Sequence, residues 1–165
     1  HRDPAVRRFA TRASRGSKSA RETAERLRRA VHRHIDRKGL ATAFASASET
    51  VRNRRGDCTE HAVLLAAALR AKDIGSRVVN GLVWIPAGNG RDGTYLWHMW
   101  TQAVIDGRWT DLDATLSPDG PGFHAGHLAI NTGDLSPASF NATGTEMLEL
   151  FGAIDIAILD GATRP

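Results

Sequence analysis

Apolar residues recur every three to four positions through the first third of the chain and close to every second position further on, so helices are predicted first and strands afterwards. Residues 4–14 read as a short basic helix, closed by the Gly/Ser-rich stretch Arg15 to Ser19. Ser19 then offers an N-cap with Glu22 three residues on, and Ala20 to Arg37 reads as an amphipathic helix with Ala24, Leu27, Val31 and Ile35 on one face and Gly39 as its stop. His32 and His34, two positions apart on that helix, point to different faces and are read as solvated. A shorter helix runs from Ser46 or Ser48 to Asn53. From Ala62 to Leu69 every side is apolar, which predicts a helix buried in the middle of a domain.

After Gly75 the period changes. Arg77 to Ile85 is a strand ending at Pro86, and residues 86–94, PAGNGRDGT, are turn chemistry throughout, read as a mobile surface loop. Leu96 to Ile105 and Arg108 to Thr115 are strands separated by Asp106-Gly107, the strongest short hairpin signal. A two-residue turn fixes the register: Ile105 faces Arg108, Trp100 faces Asp113 and His98 faces Thr115. Those last four residues then share one side of the sheet, and His98 and Asp113 become diagonal neighbours at the roughly 7–8 Å over which long side chains still meet. Trp109 falls on the same side. His127 to Asn131 predicts another strand, Glu146 to Phe151 a helical turn, and the alternation of Ile154, Ile156 and Ile158 a closing strand. The expected architecture is α+β in one domain over 1–165, helical over 1–73 and sheet-forming over 76–160, with a central helix packed on an antiparallel sheet.

Composition narrows the function classes. The 165 residues suffice for a sizeable core, and no apolar run approaches the roughly 18 residues of a membrane span. The net charge of +4 is unevenly divided: residues 1–55 hold 16 Lys/Arg against 5 Asp/Glu, and residues 56–165 hold 6 against 13. The basic residues sit in a helical pattern with alanines and few aromatics, the signature of a solvated helix face, so no nucleic-acid partner is expected. One cysteine excludes an internal disulfide and is compatible with any compartment. The chain starts at His1 rather than Met, so it is expected to be a piece of something longer.

The chemistry concentrates at residues 54–71, RRGDCTEHAVLLAAALRA. Gly56 breaks the preceding structure, Asp57 caps the next helix with Glu60 three residues later, and Cys58 falls in its first turn. Unpaired amides and the helix dipole favour an anion there, hence a thiolate, whereas Asp57 and Glu60 oppose it, so a cationic partner such as an imidazolium is needed. A lone cysteine in an apolar helix is usually a small buried hydrophobe. What raises Cys58 above that is its company: a nucleophile, a base (His98) and a base-orienting acid (Asp113) are the three parts thiol catalysis requires. Metal chemistry through Cys58, His61 and a later histidine, or through His124 and His127, is the weaker reading, because no second ligand pair accompanies either set.

The segments GDCTEHAVLLAAALRA, SRVVNGLVW, WHMW and GRWTDLDAT, in that order, resemble the core of the bacterial transglutaminase-like superfamily, the papain-related thiol enzymes, from about Phe44 to Thr115 and more faintly to the C-terminal strand. The resemblance implies a helix bearing the nucleophile on an antiparallel sheet that supplies histidine and aspartate. It implies Cys58 as nucleophile, His98 as general base and acid, and Asp113 as orienting carboxylate, with a protein or peptide substrate and no cofactor or metal. Similar proteins often carry this domain at the C-terminal end of a larger chain. No loop has the carboxylate spacing of the calcium sites of animal transglutaminases, so calcium activation is not expected. The Cys58 amide is the expected oxyanion donor, with Asn53 an upstream candidate for a second. A non-catalytic protein- or peptide-binding module on the same fold is the alternative function.

Overall fold

The computed structural model describes residues 2–39, 45–87, 93–120 and 122–136 and, further on, positions 139, 145, 149, 150, 153, 154 and 156. Side-chain caps start each helix. Asp3 accepts from the amides of Ala5 and Val6 at 2.8 and 3.1 Å to begin α1 (Pro4–Ala13), and Ser19 accepts from the Glu22 amide at 3.1 Å to begin α2 (Ala20–His34). Ala24, Leu27, Val31 and Ile35 form a fully buried stripe, as their spacing predicts. The helix ends before Gly39, because Arg37–Lys38 leave it as β1 and pair in parallel with β2 (Arg55–Gly56). His32 and His34 also depart from expectation: neither is merely solvated. His32 Nδ1 donates to the Ala114 carbonyl at 3.0 Å, and His34 Nε2 donates to the Val51 carbonyl at 2.9 Å.

Ser46 and Glu49 form a full capping box on α3 (Ala47–Asn53), which stops at Arg54 in the left-handed conformation (φ 56°) and turns into β2. Asp57 and Glu60 form a second capping box on α4 (Cys58–Arg70), the all-apolar helix of the sequence. Leu64, Leu65 and Leu69 of α4 are 0 % exposed and join one core with Val6, Phe9, Leu27 and Val31 from the first two helices and with Ala103, Ile105 and Leu112 from the sheet. Each such leucine contributes about 1.5–3 kcal/mol by leaving water.

The sheet has the order β5-β4-β3-β6 and is antiparallel throughout, with β3 (Ser76–Pro86), β4 (Gly93–Ile105), β5 (Arg108–Leu112) and β6 (His127–Gly133). Thus the protein is α+β, with α4 laid on the sheet: Thr101 Oγ1 of β4 donates to the Ala62 carbonyl at 3.1 Å, and Ser76 Oγ of β3 to that of Ala66 at 2.9 Å. The β4–β5 turn is the predicted one, with Asp106 and Gly107 both at positive φ (54° and 74°), and Ile105 faces Arg108. β4 starts earlier than Leu96, and Pro86 pairs with Gly93, so the predicted loop shrinks to the link between two long strands; residues 88–92 of it lie outside the described residues. Of the predicted helical turn at Glu146 to Phe151, residues 146–148 and 151 lie outside them as well. Ile154 and Ile156 belong to no strand, and Ile158 lies outside the described residues.

Candidate functional site

Cys58 is the first residue of α4, half-buried, behind a turn in which Gly56 has no room for a side chain: a Cβ there would come within 2.3 Å of Glu60 Cβ. Asp57 accepts from the Thr59 amide at 2.8 Å, and Glu60 Oε2 accepts from the Asp57 amide at 2.9 Å. Glu60 Oε1 also accepts from the Ala45 amide at 2.9 Å, which ties the segment before α3 to the thiol helix. Burial raises the Glu60 carboxyl above its ordinary range, with the Asp57 charge adding to the effect.

The β4–β5 ladder closes at Thr101–Leu112, so Asp113 and Thr115 are not strand residues and have no direct partners across the hairpin. The chain turns instead, and α2 holds that turn from behind. Arg28, itself buried and paired with Glu25 at 2.8 Å, donates through Nη1 to the carbonyls of Asp113 (3.3 Å) and Leu116 (3.1 Å). The predicted His98–Asp113 contact forms nonetheless: His98 Nε2 donates to Asp113 Oδ2 at 2.7 Å. Asp113 is 2 % exposed and is held on every side. Its Oδ1 accepts from the Thr115 amide (2.8 Å) and hydroxyl (2.7 Å), and its Oδ2 also lies 3.2 Å from His127 Nε2.

Burial works against charge on both groups, yet their contacts prevail. Hydrogen bonds to His127 and His98, with the His98 charge, hold the Asp113 carboxyl well below the usual carboxylate range. Hydrogen bonds to Asp113 and Cys58, and the negative charges of both, push His98 up to about 9. With Nε2 committed to Asp113, Nδ1 is the nitrogen left for the thiol. Cys58, His98 and Thr115 line one cavity of about 270 Å³, together with His61, whose Nδ1 donates to the Asp57 carbonyl at 2.5 Å. A larger cavity of about 770 Å³ is lined by Asp36, Arg37, Arg52, Asn53, Arg54 and Arg55. Asn53 lines that cavity and is not among the residues that line the thiol cavity.

Two residues of this site were not assigned from the sequence. Thr115 is a capping hydroxyl two residues after a buried aspartate, a signal an Asx-type turn leaves in the sequence. His127 gave no comparable sign, since it arrives on β6 from the far side of β3. His124 packs against His127 (ring centroids 4.6 Å apart), while its own Nδ1 accepts from the Gly126 amide at 3.1 Å. Among the described residues, the ligand-type atoms of His98, Asp113 and His127 lie within 4.8 Å of one another, and both imidazoles are within hydrogen-bond distance of the same Asp113 oxygen. Of the tryptophans, Trp100 is buried beside His98 (ring centroids 6.1 Å apart) and donates through Nε1 to Asp111 Oδ1, whereas Trp109 is 46 % exposed under the Arg77 guanidinium.

No curated protein matches the chain. Among solved structures it is similar to a candidate cysteine protease from Cytophaga hutchinsonii (22 % identity, TM-score 0.62, covering 78 % of this chain and 41 % of that one). It is also similar to the periplasmic domain of TgpA from Pseudomonas aeruginosa (21 % identity, TM-score 0.54, covering 70 % and 43 %). The chain thus spans less than half the length of either. Similarity at this identity carries the fold, an antiparallel sheet with a helix laid across it. The profile of the transglutaminase-like superfamily matches residues 7–114, well over half of the sequence and inclusive of Cys58, His98 and Asp113, and the chain belongs to that superfamily.

Proposed function

We propose that the protein performs thiol-dependent acyl transfer or hydrolysis at amide bonds of a protein or peptide, with Cys58 as nucleophile, His98 as general base and acid, and Asp113 as orienting carboxylate. The observation that carries this reading is the imidazole of His98, bonded through Nε2 to a buried carboxylate at 2.7 Å and opening on the cavity that holds the only thiol of the chain. The Cys58 thiolate attacks the amide carbonyl carbon, and the resulting oxyanion is met by the Cys58 backbone N–H at the start of α4. The C–N bond breaks as His98 passes its proton to the leaving amine, which leaves a thioester on Cys58. Water or an incoming amine, deprotonated by His98, then attacks the thioester, and the thiolate leaves. Asp113 keeps the ring in the orientation with Nδ1 toward sulfur throughout.

Intact-mass measurement of protein mixed with peptide p-nitroanilides and glutamine-containing peptides tests the reading. An acyl adduct confined to Cys58, discharged by hydroxylamine and absent in Cys58→Ala, is the expected result. A protein that binds such peptides without ever forming an adduct is a binding module instead.

A further inference from the structure

Asp113 Oδ2 serves two imidazoles, and only one of them belongs to the proposed triad. We propose that His127 is a positioning residue of the site: a second N–H donor to Asp113 that, with Thr115, fixes the carboxylate in the one orientation from which it can hold His98 toward Cys58. The inference rests on the thiol reading above and adds a residue that lies outside the matched superfamily span of 7–114.

The backbone is built to deliver this side chain. β6 pairs with β3, and the register shifts between Asn80 and Gly81: Asn80 faces Asn131, but Gly81 faces Ala129, which leaves Ile130 as the extra residue of a bulge. Residues directly opposite one another share a face. Val83 faces His127 on one side and Leu96 on the other, so His127 projects on the face of Leu96, His98 and Trp100. Without the bulge, continuing the Asn80–Asn131 register would place Leu128 opposite Val83 and turn His127 to the other face. The close approach also needs Gly81, where a Cβ would meet the Leu128 carbonyl oxygen at 2.1 Å and Trp100 Cη2 at 2.9 Å.

Once delivered, the ring is held from every direction. Its side chain is 0 % exposed. It stacks on Phe123 (centroids 4.1 Å, 29°) and meets Trp100 (5.3 Å, 83°), His98 (5.7 Å, 60°) and His124 (4.6 Å, 64°) at steep angles. The charged and titratable groups around it are Asp113, His98 and His124, with Arg28 of α2 behind the Asp113 carbonyl. Nδ1 lies 3.1 Å from the His124 carbonyl and Nε2 3.2 Å from Asp113 Oδ2; the carboxylate is the stronger acceptor and places a proton on Nε2. Thr115 bonds Oδ1 twice and His98 bonds Oδ2 once; the His127 donor adds a second bond on Oδ2, the oxygen that holds His98, and so stiffens the carboxylate against rotation about Cβ–Cγ.

The test compares His127→Gln with His127→Met, near-isosteres of which only glutamine keeps an N–H donor, and reads Cys58 alkylation by iodoacetamide between pH 6 and 9. Alkylation at pH 6.5 should fall about tenfold in His127→Met, the loss that one hydrogen bond to a charged group brings, and stay within about threefold of the parent in His127→Gln. Equal losses in both variants would mean that the ring matters only as packing, and unchanged rates in both would mean that it does nothing for the pair; either result overturns the proposal. Nitrogen-15 spectra of the parent decide independently of how the variants fold, because Nε2 of His127 must carry a proton and an unprotonated Nε2 contradicts the assignment. If parent Cys58 reacts no faster than Cys58 in His98→Ala, the thiol reading itself has failed, and the nitrogen spectrum still reports on the His127–Asp113 bond.

Discussion

Among the described residues two carboxylates are buried, Glu60 on α4 and Asp113 after β5, and their surroundings drive them in opposite directions. Glu60, 0 % exposed, faces two backbone amides and a neighbouring acid, and burial raises its carboxyl above the ordinary range. Asp113, 2 % exposed, faces two imidazoles and a threonine, and its carboxyl is driven well below that range. The neighbours account for the difference: at Glu60 burial and the Asp57 charge outweigh two amide donors, whereas at Asp113 hydrogen bonds from His127 and His98, with the His98 charge, outweigh burial. The first arrangement builds a helix start, and the second keeps a proton on His98.

Breaking the Asp113 side of the comparison has the largest expected effect. Asp113→Asn keeps the shape but loses the charge, so acyl-adduct formation should fall by about 10³-fold or more. The same change should lower unfolding free energy by about 3 kcal/mol, the usual cost of removing one partner from a buried pair. Adduct kinetics and urea unfolding measure the two losses separately.

Stability against pH sharpens the contrast. Because the folded-state Asp113 carboxyl lies below its ordinary 3.8, its contribution is complete above that pH and is lost as pH falls beneath it. Glu60 runs the other way: its contribution is present below 4.5 and declines as pH rises past that value. His98, raised from 6.5 to about 9, contributes fully below 6.5 and loses its contribution as pH climbs through about 9. Urea unfolding of the parent should therefore weaken between pH 6.5 and 9, and the decline should vanish in His98→Ala.

A smaller effect is expected at Glu60 itself. Glu60→Gln turns an N–H₂ group toward one of the two amides that the carboxylate accepts from, and the buried clash should cost about 1–3 kcal/mol in urea unfolding at neutral pH. Smallest of all, a chelator should leave the rate of Cys58 alkylation unchanged, since every acceptor position of Asp113 is already taken by a hydrogen bond; a chelator-dependent rate would reveal an ion in the cluster.

How much of this was legible in the sequence follows from the range of the interactions. The caps at Ser19 and Asp57, the all-apolar helix and the Asp106-Gly107 hairpin are encoded within a few residues of themselves, so pattern reading found them, while the start of the short helix, Ser46 or Ser48 by pattern, is settled by the Ser46 cap. The His98–Asp113 contact is also local, because a two-residue turn fixes the register between them, although the ladder ends one residue short of Asp113. What lay beyond pattern was tertiary. Arg37 leaves the helical pattern for a partner 18 positions away in β2, His32 is recruited by the turn after β5, and a bulge opposite Gly81 turns His127 inward.

The most direct measurement of the central claim is the rate of Cys58 alkylation by iodoacetamide at pH 6.5 in the parent and in His98→Ala. If the imidazolium of His98 supports a thiolate at Cys58, the parent should react at least about tenfold faster than the variant, as paired thiols do. Equal rates, or an inert Cys58 in a folded parent, would contradict the account and leave the protein a binding module on a thiol-enzyme fold.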